Sequence, residues 1–256
     1  EISAYDTEST LCLSLNVLIN FIIYISKRTF LIKYHINSME LFHFDIETTG
    51  EYKNFTDFKE HDERGAKLFE GKWKRMRWDE KFSLEDSYLD QSGIMSTYGR
   101  ICCISFGYLD NNGQKQIKSF YGEDERYIVE SFNDLLKKIE TKNFSLSGFR
   151  ILHFDIPWVL HKLHKYGITP ADILRPYEKK PWEMRIVDMA DDWKQKFAYS
   201  YSFEEMCYEL GVSSPKVSMD GSLVHEYYHI GRLEEIKDYC EMDVSSSIDV
   251  SLMLYK

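Results

Sequence analysis

Seven consecutive residues, Phe44-Asp45-Ile46-Glu47-Thr48-Thr49-Gly50, carry the sharpest chemical signal in the chain. An apolar strand there delivers two acids two residues apart, and on a strand such residues share one face. Two carboxylates on one face repel unless something positive sits between them, and hard oxygen ligands favour Mg²⁺ or Mn²⁺. Taken alone, an Asp-x-Glu pair serves equally to end a strand and cap the next turn. A second segment, Tyr239-Cys240-Glu241-Met242-Asp243, sets a tyrosine and an aspartate four apart on one face of a helix. By itself it reads as a packed tyrosine with an exposed acid. Between the two, Phe154-Asp155-Ile156-Pro157 brings a third acid to the start of a helix, where Asp155 in isolation reads as an N-cap, with proline tolerated in the first turn.

In that order the three segments resemble the exonuclease motifs of the DEDD superfamily in its tyrosine-bearing (DEDDy) branch, which includes the proofreading domains of family B DNA polymerases. The resemblance is closer to the stand-alone PolB-like 3′-5′ exonucleases, through Lys180-Pro181-Trp182-Glu183, Ser214-Pro215-Lys216 and Asp220-Gly221-Ser222, and it runs from about Met39 to the end. It implies an α/β, RNase H-like fold: a mixed sheet flanked by helices, with a charged insertion after the first strand. It makes Asp45, Glu47, Asp155 and Asp243 the acids that hold two divalent cations, Mg²⁺ or Mn²⁺, and Tyr239 the residue that positions the attacking water. With a reference pKa near 10, a tyrosine suits hydrogen bonding better than proton removal. The implied reaction is in-line hydrolysis of the terminal phosphodiester of single-stranded DNA, with metals about 3.5 to 4 Å apart and a nucleoside 5′-monophosphate leaving each cycle.

Two alternatives stay open. One is an RNA-trimming exonuclease, since no group here identifies itself as excluding a 2′-hydroxyl. The other is a catalytically silent RNase H-like module that binds nucleic acid or a protein. The latter is motivated by Phe149 and Arg150, which stand where the family pattern has His and Asn. Arg150 is placed to meet a phosphate where an amide would have contacted the strand. His153, His161 and His164 are expected to face solvent or polar neighbours rather than a metal, and Lys179, Lys180 and Lys216 read as surface lysines before phosphate contacts.

The elements that must position these residues follow from periodicity. Strands are expected at Leu41–Ile46, Arg100–Tyr108, Gln116–Tyr121 and Phe144–Gly148, with a last short one at Arg185–Met189; Asn111-Asn112-Gly113 supplies hairpin turn chemistry. Helices are expected at Glu123–Glu140, Asp155–Lys165, Ser202–Leu210 and Leu233–Met253. Residues Glu51 to Thr97 form a charged insertion in which Lys72, Lys74, Arg75 and Arg77 interleave with Trp73 and Trp78. That mixture can track phosphates and stack bases, although a solvated helix with its tryptophans packed on the body is the favoured reading.

Composition bounds the rest. The 256 residues, 43% hydrophobic and 15% aromatic, suit one sizeable core. A net charge of -10 excludes holding nucleic acid by general basicity, so any phosphate contact is local. Five cysteines with no metal-binding spacing read as reduced thiols, which points to the cytoplasm. The apolar run from Leu11 to Ile25 is too short and impure to span a membrane. Residues 1–38 read as a hydrophobic extension, either real or carried by an extended gene model that begins ahead of a start at Met39, before a domain at 39–256, and no stable membrane association is expected.

Overall fold

The structure, a computed structural model, describes residues 40–180, 182–194, 201–214 and 219–255. The apolar N-terminal stretch and Lys216 lie outside the described residues. By its internal contacts the chain divides into two units, Glu1–Glu40 with Tyr255 and Leu41–Leu254 with Lys256. The account below concerns the second. Among the described residues no helix is long and apolar enough to cross a membrane.

The fold is α/β, as expected: a five-stranded mixed sheet flanked by helices. Strand β1 spans Glu40–Gly50, β2 Gly99–Leu109, β3 Lys115–Tyr121, β4 Phe144–Gly148 and β5 Ile186–Asp188, in spatial order β3-β2-β1-β4-β5. The first three pair antiparallel and β4 pairs parallel with β5. β1 runs past the expected Ile46 to include both acids, because β2 remains paired with it as far as Gly50.

Strand alternation gives β1 two functions. Phe42, Phe44 and Ile46 enter the main core with Ile104 and Phe106 of β2, beneath helices α4 (Glu125–Ile139) and α5 (Asp155–Lys165). Asp45 and Glu47 therefore point to the other sheet face. The register shifts after Glu47, which pairs with Cys103 while Thr48 pairs with Ile101. The extra residue, Cys102, makes a β-bulge, and its thiol donates to the Glu47 carbonyl at 3.3 Å. The bulge resets the parity of β2, so that Ile101 returns to the main core while Cys102 and Cys103 join the opposite cluster.

On that opposite side lies the long helix α9 (Leu233–Leu254), whose Ile236, Tyr239 and Cys240 pack with Cys102 and Cys103. Its register on the sheet is fixed along β3: Tyr121 donates to Glu234, Ser119 to Glu241 at 2.7 Å, and Lys115 to Asp249 at 2.6 Å. These rungs set where Tyr239 and Asp243 stand over β1.

The insertion builds its own small core. Helices α1 (Phe55–His61), α2 (Glu63–Arg75) and α3 (Leu84–Gln91) bury Phe55, Phe58, Phe69 and Tyr88 with Tyr98, and Trp78 packs against this cluster. Lys74 and Arg77 pair with Glu70 and Glu80 of the same segment. Beyond β5 come α6 (Met189–Lys194), α7 (Phe203–Leu210) and α8 (Val224–His229). α7 starts on a capping box between Ser202 and Glu205 and ends at Gly211 with φ 67°, a left-handed geometry that suits glycine.

Candidate active site

Asp45, Glu47, Asp155, Tyr239 and Asp243, drawn from β1, α5 and α9, line one open cavity of about 440 Å³. Its lining also includes Phe149, Arg150, Phe154 and Phe203. Phe149 and Phe203 pack against each other with ring centroids 5.3 Å apart.

Asp155 reaches the cavity in a way its isolated context does not suggest. The N-cap of α5 is Phe154, and Asp155 is the first helical residue. Its carboxylate accepts the Ile46 N–H of β1 at 3.1 Å, tying α5 to the strand that carries the other two acids. Close approach at the end of β4 permits this: a Cβ at Gly148 would sit 2.7 Å from the Phe44 carbonyl oxygen, so only glycine lets the two strands come this near.

Between β4 and α5 the chain passes through Arg150, which has φ 60°, uncommon for a side-chain-bearing residue. Asp188, at the end of β5, holds that turn. Its buried carboxylate accepts the N–H groups of Arg150 at 3.0 Å, Leu152 at 2.9 Å and Ala190 at 3.0 Å. Asp188 went unremarked in the sequence, where its one signal is an acid closing a short apolar strand. Cys240 is a second unforeseen participant, donating at 3.5 Å to both the carbonyl and the Oδ2 of Asp45. Of the histidines, His153 meets Asp191 at 3.1 Å and His161 meets Ser96 at 2.7 Å.

The electrostatics of the cavity are unfavourable to the bare protein. Burial, then Asp243, Asp155 and Glu47, hold the Asp45 carboxyl well above the usual carboxylate range. Burial, Asp243, Cys103 and Asp155 do the same to Glu47. Asp155 is pushed up to about 8, chiefly by burial with Asp188 and Asp243 adding, against the hydrogen bonds from its own N–H and from Ile46. The Tyr239 hydroxyl is raised by burial and by Asp243, Glu47 and Asp45, which keeps it protonated. Gly221 lies beside that hydroxyl, so the Asp220-Gly221-Ser222 stretch adjoins the cavity.

Such a site fits hard divalent cations. Ligand atoms of Asp45, Glu47 and Cys240 lie within 4.8 Å of one another, and a bound cation would cancel the repulsion that raises the carboxyl pKa values.

Residues 93–253 match the family model described as a predicted 3′-5′ exonuclease related to the exonuclease domain of PolB. The match contains Asp155, Tyr239 and Asp243; Asp45 and Glu47 precede it. No curated protein matches the chain. Among solved structures, the family B DNA polymerase from the hyperthermophilic archaeon Pyrobaculum calidifontis is similar over 84% of this chain and 24% of that one, at 15% identity and a TM-score of 0.55. Exonuclease I is similar over 84% of this chain and 40% of that one, at 12% identity and a TM-score of 0.41. The chain thus spans about a quarter of the polymerase's length, and the likeness to the polymerase bears on the fold.

Proposed function

The chain belongs to the family of predicted 3′-5′ exonucleases related to the exonuclease domain of PolB, and from that premise we propose that residues 39–256 form a domain that trims single-stranded DNA from its 3′ end. Each cycle hydrolyses the terminal phosphodiester and releases a nucleoside 5′-monophosphate, with two divalent cations, Mg²⁺ or Mn²⁺. The observation that carries this reading is that five side chains from three separate elements line one open cavity.

Asp45, Glu47, Asp155 and Asp243 would hold the cations. When bound, these lower the pKa of water towards 7 and stabilise the leaving 3′ oxygen. Tyr239, kept protonated by burial and by its acidic neighbours, orients the attacking water by hydrogen bonding. Cys240 and the Ile46 N–H fix the carboxylates of Asp45 and Asp155. Preorganised groups of this kind act on charge that develops at the transition state, so their loss affects turnover more than binding. The aromatic wall offers apolar faces to the terminal base, in keeping with a sequence-tolerant enzyme.

The test is a gel time course on 5′-labelled single-stranded DNA, with a matched RNA in parallel, in Mg²⁺ or Mn²⁺. A ladder shortening from the 3′ end, lost in Asp45→Ala, is expected. Faster trimming of the RNA would reassign the substrate, and no metal-dependent shortening of either polymer would overturn the enzymatic reading.

A further inference from the structure

A second cavity, of about 270 Å³, adjoins the acid-lined one and shares Arg150 and His153 with it. Its other described lining residues are Ala190, Asp191, Lys194 and Tyr201. Whereas the first cavity gathers carboxylates, this one presents two cations, Arg150 and Lys194. Its acid, Asp191, is turned towards His153 at 3.1 Å.

Arg150 is held at the boundary by several constraints at once. The left-handed backbone of a non-glycine residue is sparsely populated and persists only where its surroundings over-determine it. Here the buried Asp188 supplies that support, by accepting the N–H groups on either side of Ile151. The guanidinium lies over the Phe149 ring, 5.5 Å from its centroid, and donates to the Tyr201 carbonyl at 3.0 Å. Its plane is therefore set between an aromatic wall of the first cavity and the chain bordering the second. A chain with net charge -10 can hold a polyanion only at such local points.

We propose that this second cavity, resting on the exonuclease reading above, binds a backbone phosphate of the substrate strand other than the scissile one, through Arg150 and Lys194. The ligand class is the phosphodiester backbone of a single strand. Guanidinium recognition of phosphate oxygens positions the strand without reading its sequence.

The test measures binding by fluorescence anisotropy of a labelled DNA tetranucleotide in Ca²⁺, with competition by an unlabelled dinucleoside monophosphate, which has a single phosphate. Arg150→Asn removes the charge while keeping a residue that tolerates the left-handed region; Lys194→Gln tests the other contact from a separate element. Each is expected to weaken tetranucleotide binding about tenfold and to make the slope of log affinity against log salt shallower by about 0.7. Lys138→Gln on α4 should match wild type, and the dinucleoside monophosphate should bind the Lys194→Gln and Lys138→Gln proteins as it binds wild type. Unchanged tetranucleotide affinity in both cavity variants, or an equal loss for both ligands in Lys194→Gln, would overturn the subsite. If wild type released no mononucleotide while those differences held, the exonuclease reading would fall and the phosphate subsite would stand.

Discussion

Two clusters of buried carboxylate chemistry lie in the same domain and are treated in opposite ways. Glu125, at the start of α4, is surrounded by donors: the Ile101 N–H at 2.7 Å, Lys162 at 3.2 Å, Lys165 at 3.2 Å and the Tyr166 hydroxyl at 2.6 Å. Burial would raise its pKa, yet Lys162 foremost, with Tyr166, Ile101 and Lys165, holds it below the usual value. Lys162 is itself lowered, chiefly by its own burial, so the ionised state of the pair depends on the carboxylate's further partners. Asp45, Glu47 and Asp155 instead face one another and Asp243, and all three are pushed up. A carboxylate met by cations stabilises the fold, whereas a set of mutually repelling ones weakens the metal-free fold and fits a bound cation.

The largest effects should separate the two clusters by kind. Asp45→Ala is expected to lower nuclease activity on the order of 10³-fold or more, with urea unfolding of the metal-free protein no easier than for wild type. Glu125→Gln should do the reverse, costing about 3–5 kcal/mol of stability by leaving Lys162 buried without its carboxylate, as read from the urea midpoint. A smaller effect is expected for Tyr239→Phe: kcat lower by about 10- to 100-fold with KM little changed, measured by steady-state kinetics.

Smaller still is the pH dependence, whose sign differs between the clusters. Asp155 is raised in the fold, so between its unfolded pKa of roughly 4 and about 8 the native state binds the extra proton. Stability of the metal-free protein should then fall as pH rises through that window. Glu125 is lowered, so its contribution is present above its unfolded pKa and is lost as pH drops below it. Melting temperatures of metal-free wild type and Asp155→Asn from about pH 2.5 to 8.5 check both: the variant's decline at higher pH should be shallower, with Asp45 and Glu47 keeping part of it, and its acid-side loss should be unchanged.

One side of this contrast, the shared faces of the site residues, was legible in residue spacing. Two-residue alternation places Asp45 and Glu47 on one strand face, and a four-residue step does the same for Tyr239 and Asp243 on α9, because these are properties of local backbone geometry. Long-range contacts were not legible. Asp155 reads locally as a cap, yet it bonds Ile46, 109 residues away in sequence. Asp188 and Cys240 gain their roles only once β5 and α9 are docked, and Phe203 faces Phe149 through packing alone. The Cys102 bulge is likewise a matter of register between strands, and the separate aromatic core of residues 55–98 depends on three helices meeting. The ring of partners around Glu125 joins α4, β2 and α5, which no single window of sequence contains.

The most direct measurement is a calorimetric titration of Mn²⁺ into metal-free protein at pH 7.5, comparing wild type with Asp45→Asn. Saturable uptake by wild type, abolished or strongly weakened in the variant, is the predicted result. Absence of uptake, or equal uptake by both proteins, would contradict the assignment of the acid-lined cavity as a divalent-cation site.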